Sequence, residues 1–382
     1  MDTLGLYFHI PFCKGKCPYC DFYSLADKSL HTAYKEAVCE EIKTLSRCRE
    51  FAADAHKRTV DTVYFGGGTP SEWGAENIRC VLQAVKEQFP LAADAEITVE
   101  CNPSTPDLQT FFAVCAESGV NRISMGMQSA VDSERKKLGR RANAADVRAA
   151  LYAAKNAGIS DCSLDLMIGI PDQTAESLQQ SLQFLVDSQV PHASVYLLSV
   201  EEGTFFHKNQ SKLNLPDEDT AASFYLQTVD FLNNNGLQQY EISNFARPGY
   251  ESRHNTRYWE QKEYLGIGPA AHSFLNGKRF GFTRDIHAFL QGQPPAFCDD
   301  GGDFEEYVML RLRLAKGLTQ TDCRQKFGIG IPPSLLQAAA KYEKLNLIKY
   351  GSQGIQLTPQ GFLVSNMLIA DLLGSIDPTE VP

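Results

Sequence analysis

Strand-like and helix-like segments alternate through the first half of the chain, and this alternation restricts the fold more than any other feature. The strand candidates are short, apolar and rich in β-branched or aromatic residues, at positions 4–9, 62–65, 96–99, 122–125, 163–168 and 194–198. Helical patterns lie between them, at about 30–45, 75–88, 107–117, 142–157 and 175–188. Repeats of strand then helix predict an α/β fold with a parallel sheet and right-handed crossovers. Either a doubly wound sheet or an open barrel satisfies this pattern.

Polar residues and glycines follow the strand candidates, and their placement favours the barrel. In a parallel barrel the carboxyl ends of all strands open on one face, where functional sites assemble. The residues at or near these ends are Cys13, Gly66 to Pro70, Glu100, Asn102, Gln128, Asp165, Gly169, Tyr196 and Ser199. Six such signals on one face are hard to explain by packing alone. We therefore predict a curved partial barrel of six βα units with a site at its mouth.

Three cysteines come directly after the first strand candidate, at Cys13, Cys17 and Cys20. Three thiolates this close on one loop suit one soft metal centre, and thiolate ligands select zinc, copper(I) or an iron–sulfur cluster. A structural zinc ion usually has four protein ligands, and Asp21 and Phe22 follow the third cysteine. The residues alone thus predict a metal site. A zinc-stabilised interaction protein is one hypothesis for it.

The second strand candidate ends in three glycines, Gly66, Gly67 and Gly68, followed by Thr69. Glycines adopt backbone angles closed to other residues and let a ligand approach the main chain. A hairpin or helix-entry turn is the alternative interpretation. The run lacks the lysine with serine or threonine of a phosphate-binding loop, so a nucleoside-triphosphate site is not expected.

Two carboxylates belong to the same predicted mouth. The strand at 97–99 directs Glu100 towards it. Asp165 lies between Leu164 and Leu166 and is expected to be partly buried, so it needs a partner. Arg140 is a candidate for that partner or for a ligand contact.

The second half of the chain loses the alternation. Residues 217–234 predict a helix, and residues 239–246 predict a strand with polar exits. The segments 254–259 and 266–273 are predicted to be turns or loops rather than long helices. From about residue 304, helices followed by a glycine-linked hairpin predict a small winged-helix-like unit. We accordingly divide the chain into residues 1–236, 237–300 and 301–382.

Composition restricts the partners and the compartment. The formal net charge of −10, and the lack of a dense basic stripe, argue against nucleic-acid binding. No apolar run is long enough for a membrane span, and the N-terminus has no signal-peptide pattern. The eight cysteines outside the loop show no disulfide spacing, which favours reduced thiols in a cytoplasm.

Nearly the whole chain resembles one group of radical-SAM proteins, the group that contains oxygen-independent coproporphyrinogen III oxidases and HemW-type haem chaperones. The resemblance covers the cysteine loop, the glycine run and the later motifs, at 7–20, 66–71, 100–103, 119–128, 138–141, 165–171 and 266–273. The tail resembles the C-terminal domain of this group. The order of the motifs agrees with the family as well as the motifs themselves.

The resemblance implies a partial (β/α)6 barrel, a 4Fe–4S cluster and bound S-adenosylmethionine. The cluster would be held by Cys13, Cys17 and Cys20. The S-adenosylmethionine contacts would be Tyr7, Gly67, Gly68, Thr69, Glu100, Gln128, Arg140 and Asp165. No catalytic residue is assigned.

Two sequence features separate the branches of the group. The oxidases carry a further cysteine two residues after the third ligand, where this chain has Phe22. The chaperones carry a His-Asn-x-x-Tyr-Trp motif, which here begins at His254 and ends at Trp259. Both features favour a chaperone in which His254 ligates haem iron, since imidazole is a common haem ligand.

The predicted function is that of a cytoplasmic haem chaperone, with haem as its cargo. It would deliver haem to acceptor haemoproteins such as respiratory-chain components. The interpretation also allows transient association with a membrane surface, and a homodimer. The alternative is an oxygen-independent coproporphyrinogen III oxidase, an enzyme that forms protoporphyrinogen IX by oxidative decarboxylation.

Overall fold

The computed structural model describes residues 3–381 and confirms the predicted fold class. Six parallel strands form the centre of one sheet, in the order in which they occur along the chain. They are β1 (Leu4–Ile10), β2 (Val60–Gly67), β3 (Leu91–Cys101), β4 (Arg122–Gln128), β5 (Asp161–Ile168) and β6 (His192–Leu197). The termini of the first and third predicted domains, residues 1–2 and 382, lie outside the described residues.

Helices connect these strands, close to where the hydrophobic periodicity predicts them. They are α1 (His31–Thr44), α2 (Arg49–Ala52), α3 (Pro70–Trp73), α4 (Ala75–Gln88), α5 (Leu108–Glu117), α6 (Asp132–Lys137), α7 (Ala144–Asn156) and α8 (Ala175–Asp187). Helix α4 buries Ile78, Val81, Leu82 and Val85, whose three- and four-residue spacing gives one apolar face. Asn143 and Thr174 form capping boxes that fix where α7 and α8 begin.

Alternation along the strands separates an apolar outer face from a polar inner face. In β2, Val63 and Phe65 are buried in the hydrophobic core, whereas Thr62 and Tyr64 hydrogen-bond to side chains of the inner face. In β1, Phe8 stacks on Phe65 with ring centroids 5.0 Å apart. The apolar outer face of the strands therefore packs against the helices. The polar side chains of the inner face can form a functional site.

Further strands extend the sheet on both sides. The elements of this region are α9 (Phe205–Lys208), α10 (Glu218–Asn234), β7 (Gln238–Gln239), β8 (Asn244–Ala246), α11 (Arg253–Trp259), β9 (Tyr264–Ile267), β10 (His272–Leu275), β11 (Lys278–Gly281), α12 (Ile286–Leu290) and β12 (Ala296–Asp300). The strand order is β12-β11-β10-β9-β1-β2-β3-β4-β5-β6-β8-β7. Strand β9 runs parallel to β1, while β8 runs antiparallel to β6. Over residues 3–381 the two ends of the sheet do not pair, so the barrel is open.

Three predictions for this region need correction. Residues 266–273 are a turn only in their middle, because residues 266–267 end β9 and residues 272–273 begin β10. Residues 239–246 do not form one strand, because the chain turns between β7 and β8 and the two strands pair with each other. Residues 254–259 form most of the short helix α11 rather than a loop. The side chain of Ser252 caps this helix by accepting from the Asn255 amide, and no glycine or proline interrupts it.

The tail packs as a small winged-helix-like unit, as predicted. Its elements are α13 (Phe304–Arg311), β13 (Leu318–Thr319), α14 (Gln320–Phe327), α15 (Pro333–Glu343), β14 (Ile348–Gly351), β15 (Gly354–Leu357), α16 (Pro359–Leu363) and α17 (Ser365–Leu373). The three strands form an antiparallel sheet in the order β13-β15-β14. The proposed limits at 236 and 300 stay predictions, since β7 to β12 continue the barrel sheet.

No helix within residues 3–381 has the length and apolar character that crossing a bilayer requires.

Candidate functional site

The cysteine loop leaves β1, and its far end at Leu25 returns to the residues just after the strand. The Cys13 amide donates to the Leu25 carbonyl at 2.9 Å, and the Leu25 amide donates to the Pro11 carbonyl at 2.8 Å. The Cys20 amide donates to the Cys17 carbonyl at 3.1 Å, which makes a tight turn between these two cysteines. The predicted metal-binding segment is thus an ordered loop.

The three thiols of the loop are free and half-buried. Burial raises the pKa of the Cys13 and Cys20 thiols, and the charge of Cys17 beside them raises both further. Arg140 opposes this effect at Cys13, and its Nη1 donates to the Cys17 sulfur at 3.7 Å. Bound iron would offset the cost of ionising these thiols, since thiolate is the ligating form.

The donor set fits a cluster of several irons. Over residues 3–381, no three His, Cys, Asp or Glu side chains are already close enough to surround one metal ion. A 4Fe–4S cluster binds each thiolate to a different iron atom, so it does not require sulfurs gathered around one ion. A cavity of about 380 Å³ is lined by Cys17 and Cys20, and also by Lys16 and Phe205.

Residues from both nearby and distant parts of the chain hold the cysteine loop in place. His9 Nε2 is 2.9 Å from the Tyr23 carbonyl oxygen, and the Tyr23 hydroxyl accepts from the Ile286 amide at 2.9 Å. Arg284 forms an ion pair with Asp21, the residue after the third cysteine. The Tyr34 hydroxyl donates to the His9 carbonyl at 2.5 Å. The loop is therefore fixed both by the first strand and by residues just before and at the start of α12.

The glycine run packs directly against the start of the cysteine loop. The Gly68 and Thr69 amides donate to the carbonyls of Ile10 and Phe12, at 2.9 and 2.7 Å. The Thr69 hydroxyl lies 3.2 Å from the Cys13 sulfur. Gly67 has φ of +105°, and a Cβ there would lie 2.5 Å from the His9 ring. Only glycine fits this position.

Glu100 lies at the centre of the inner face. Its carboxylate accepts from the Tyr64 hydroxyl at 2.9 Å and from the Gly67 amide at 3.1 Å. Burial, and then the charge of Asp165, raise the pKa of Glu100 to about 7, while the two hydrogen bonds oppose the rise. The site therefore holds a carboxylate that is poised near neutral pH and would be stabilised by a bound cation.

Strands β4 and β5 carry Gln128 and Asp165 to the same mouth, and Arg140 reaches it from the connection between α6 and α7. Arg140 Nη2 donates to the Gly126 carbonyl at 2.7 Å, and a Cβ on Gly126 would lie 2.9 Å from both Arg140 and Gln128. Asp165 pairs with Gly126 in the sheet register, and it accepts from the Ser124 hydroxyl at 3.0 Å. Burial raises the pKa of Asp165, an effect that Ser124 and Arg140 partly offset.

Tyr7 faces inward beside the same groups. Its hydroxyl lies 3.1 Å from His9 Nδ1, and its ring is 6.2 Å from the Tyr64 ring. Burial raises the pKa of Tyr7 well above its ordinary value, with a further contribution from Glu100. The phenol therefore stays neutral and can donate a hydrogen bond.

His254 lies deeper than the other predicted residues, at the floor of the barrel. Its side chain is 0% exposed. Nδ1 is 2.9 Å from the Thr62 hydroxyl oxygen, and Nε2 is 2.7 Å from the Tyr258 hydroxyl oxygen. In this arrangement neither ring nitrogen is free for iron, and a ligand role would require the ring to leave both partners.

Sequence reasoning missed Tyr64, which links His254 to Glu100, and the residues that clamp the cysteine loop. Tyr64 could have been found from strand alternation, because it lies two residues before Gly66 on the inner face. His9 and Tyr23 carried no comparable signal. The role of His9 depends on its contact with Tyr23 in the loop, and that of Tyr23 also on Ile286, 263 residues along the chain.

Comparison with known proteins agrees with this geometry. Residues 7–185 match the radical SAM superfamily, and residues 303–364 match the HemN C-terminal domain. The fold is similar to that of the coproporphyrinogen III oxidase HemN from Escherichia coli, a radical SAM enzyme. That comparison has a TM-score of 0.81 and 23% identity, and covers 98% of this chain and 91% of the other. At this identity it shows the fold alone.

Two curated relatives are similar along nearly their full length. The heme chaperone HemW of Escherichia coli is 35% identical over 97% of this chain and 98% of its own. The heme chaperone HemW of Lactococcus lactis is 33% identical over 96% of both chains. This protein therefore belongs to the HemW family of the radical-SAM superfamily.

Proposed function

We propose that this protein is a haem chaperone that carries a 4Fe–4S cluster and S-adenosylmethionine at the mouth of its barrel. The observation that carries the proposal is the full-length similarity to relatives named heme chaperone HemW, which extends through the C-terminal unit. Phe22 supports it, since the oxidase branch resembled by the sequence has a cysteine there. Haem is the cargo, and acceptor haemoproteins are the proposed partners.

The site residues support this assignment of cofactors. Cys13, Cys17 and Cys20 would hold three irons of the cluster, and the fourth iron would be left for S-adenosylmethionine. The Gly66–Thr69 loop lets the ligand approach the main chain, and Glu100 offers a carboxylate to its amino group. When bound, the cluster and S-adenosylmethionine supply one-electron chemistry. The protein's part is to bind, orient and shield them.

The cellular setting follows from the same proposal. All eleven cysteines are free, which suits a reducing cytoplasm. Acceptors in a respiratory chain would bring the protein to a membrane surface transiently. A homodimer remains part of the prediction.

Haem binding and haem transfer are the decisive measurements. Anaerobically prepared protein with an intact cluster is titrated with haem and followed by the Soret band. The loaded protein is then mixed with an apo-haemoprotein. We expect stoichiometric binding and transfer faster than from free haem.

The oxidase alternative is tested on the same preparation. It is offered coproporphyrinogen III with S-adenosylmethionine and a reductant, and the products are examined for vinyl groups. No vinyl formation is expected. Turnover to protoporphyrinogen IX without haem transfer would replace the chaperone proposal with the oxidase.

A further inference from the structure

We propose that His254 is a positioning residue that holds Tyr64 against Glu100, and that it is not a haem ligand. This inference rests on the proposed S-adenosylmethionine site. It assigns the His-Asn-x-x-Tyr-Trp motif a task inside the barrel, at its floor. Four observations support the inference. They are the hydrogen bonds of the imidazole, its stacking on tyrosine rings, the anchoring of its helix and the charged groups around it.

The imidazole already has two hydrogen-bond partners. The Thr62 hydroxyl lies at Nδ1 and the Tyr258 hydroxyl at Nε2, and the side chain has no exposed surface. A hydroxyl can donate or accept, so both partners suit a neutral ring in either tautomer. If the ring moved outward to bind haem iron, two buried hydroxyl groups would lose their hydrogen-bond partners, which costs free energy.

The ring supports the tyrosine that contacts Glu100. The rings of His254 and Tyr64 are stacked, with centroids 5.1 Å apart and planes 25° apart. Tyr7 stacks on the same imidazole at 6.4 Å. The Tyr64 hydroxyl donates to Glu100 at 2.9 Å. Because the Tyr64 ring rests on His254, its hydroxyl group is fixed over the carboxylate.

The helix that carries His254 is anchored to the strands above it. The amides of Arg253 and His254 donate to the two carboxylate oxygens of Glu96, each at 2.9 Å. Arg257 pairs with Asp61 and donates to the Thr3 carbonyl at 3.2 Å. Helix α11 therefore lies against β1, β2 and β3, and moving the imidazole outward would break several buried contacts.

The charged groups around the ring favour its neutral form. Burial, and then the nearby Arg257 cation, lower the pKa of His254 to about 3. Glu96 is engaged by two backbone amides, and the other facing groups are the phenols of Tyr7, Tyr64 and Tyr258. A neutral imidazole makes this floor insensitive to pH in the physiological range.

The position of Tyr64 affects S-adenosylmethionine binding through the ionisation of Glu100. The hydrogen bond from Tyr64 favours the charged carboxylate, as does the bond from the Gly67 amide. The facing Asp165 charge has the opposite effect, while the neighbouring Tyr7 stays neutral. Loss of the Tyr64 bond therefore raises the pH at which Glu100 ionises, so that binding of a cationic amino group requires higher pH.

The test uses full-length protein with a reconstituted cluster. S-adenosylmethionine affinity is measured from pH 6 to 9 for the wild type and for His254→Leu, Tyr64→Phe and the double variant. His207→Leu is the control, because His207 is an exposed histidine in a short helix beside the cysteine loop. We expect both single variants to shift the pH midpoint upward and to weaken binding at pH 7 about 5- to 10-fold, the loss of one hydrogen bond to a charged group. The double variant should be no weaker than either single one.

Haem titration of the same variants separates the two roles of His254. We expect His254→Leu to keep the wild-type haem stoichiometry and Soret spectrum. Loss of a histidine-ligated spectrum, with a wild-type S-adenosylmethionine pH profile, would overturn the inference. If His254→Leu does not fold, Thr62→Val removes one ring partner at nearly constant shape. An upward shift of its midpoint supports the inference and an unchanged midpoint contradicts it. Failure of the wild type to bind haem would reject the proposed function while leaving the pH comparison intact.

Discussion

The ionisation of Glu100 is the residue property that most directly controls the proposed ligand site. Its pKa is raised to about 7, so a fraction of the carboxylates is protonated at neutral pH. A cationic amino group binds the ionised form and would draw the proton off. S-adenosylmethionine binding by the wild type should therefore weaken as the pH falls from 8 to 6.

Glu100→Gln tests this dependence. The variant keeps the shape of the side chain but cannot ionise. We expect it to bind S-adenosylmethionine about 10- to 100-fold more weakly at pH 8, since it loses a charge-assisted bond in a buried site, and its affinity should not vary with pH. Isothermal titration under anaerobic conditions measures both effects. A glutamine variant that kept the wild-type pH dependence would assign that dependence to another group.

The three cysteines of the loop are the second test at the residue scale. Replacing Cys13, Cys17 and Cys20 with alanine should remove the iron, from about four atoms per chain to nearly none. Iron and acid-labile sulfide analysis of anaerobically prepared protein measures this loss. Cys298→Ser is the matched control, because Cys298 is exposed on β12 and far along the sheet from the loop. Full iron content in the alanine variant would exclude these thiols as the ligands.

At the scale of elements, the turn after β2 joins the cysteine loop to Glu100. Gly67→Ala adds a Cβ that would lie 2.5 Å from the His9 ring, at a φ of +105°. Gly74→Ala is the matched control, since Gly74 has φ of +99° and nothing lies within 4 Å of its Cβ position. Both positions have a positive φ, which costs an L-residue on the order of 1–3 kcal/mol. Only the first displaces His9 and the Gly67 amide.

The two glycine variants should therefore differ in their effect on the ligand site. Gly67→Ala should be less stable than Gly74→Ala in urea unfolding and should lose S-adenosylmethionine affinity, whereas Gly74→Ala should bind like the wild type. Equal behaviour of the two variants would mean that the tight packing against His9 does not matter for the site.

The sequence predicts elements better than it predicts contacts between distant elements. Cys13 follows the first parallel strand, and Gly66 and Glu100 lie at the carboxyl ends of the next two. Because parallel strands end at one edge, their assembly could be predicted from periodicity alone. The position of His254 could not, because it depends on α11 docking against Glu96, 158 residues earlier. The same holds for Tyr23, which contacts Ile286. The local sequence pattern does not predict which distant residues will contact each other.

For the whole molecule, the polar interior of the barrel predicts an unusual dependence of stability on pH. Burial lowers the pKa of His9 to about 4 and that of His254 to about 3. The unfolded histidines titrate near 6.5, so the unfolded state binds more protons below that pH and stability is lost on acidification. Glu100 and Glu241 act in the opposite direction, because burial raises the pKa of each to about 7.

The two effects oppose each other between pH 7 and about 4.5, where unfolded carboxylates are still ionised. Below about pH 4.5 the carboxylate contribution is complete and the histidine cost continues, at up to about 1.4 kcal/mol per pH unit for each histidine. We expect a shallow profile of urea midpoint above pH 4.5 and a steep fall below it. If the urea midpoint did not fall as the pH was lowered below 4.5, these histidines would not be buried in the neutral form.

The contacts of Arg284 and Ile286 with the cysteine loop have a consequence for how the purified protein behaves in air. A segment that follows β11 fixes the loop that carries the proposed cluster ligands, through the ion pair of Arg284 with Asp21 and the hydrogen bond from the Ile286 amide to the Tyr23 hydroxyl. Damage far along the chain would therefore appear first as faster bleaching in oxygen, before any change in helix content. With the proposed 4Fe–4S cluster reconstituted, the lifetime of its brown colour in air would report whether the second half of the polypeptide has assembled correctly.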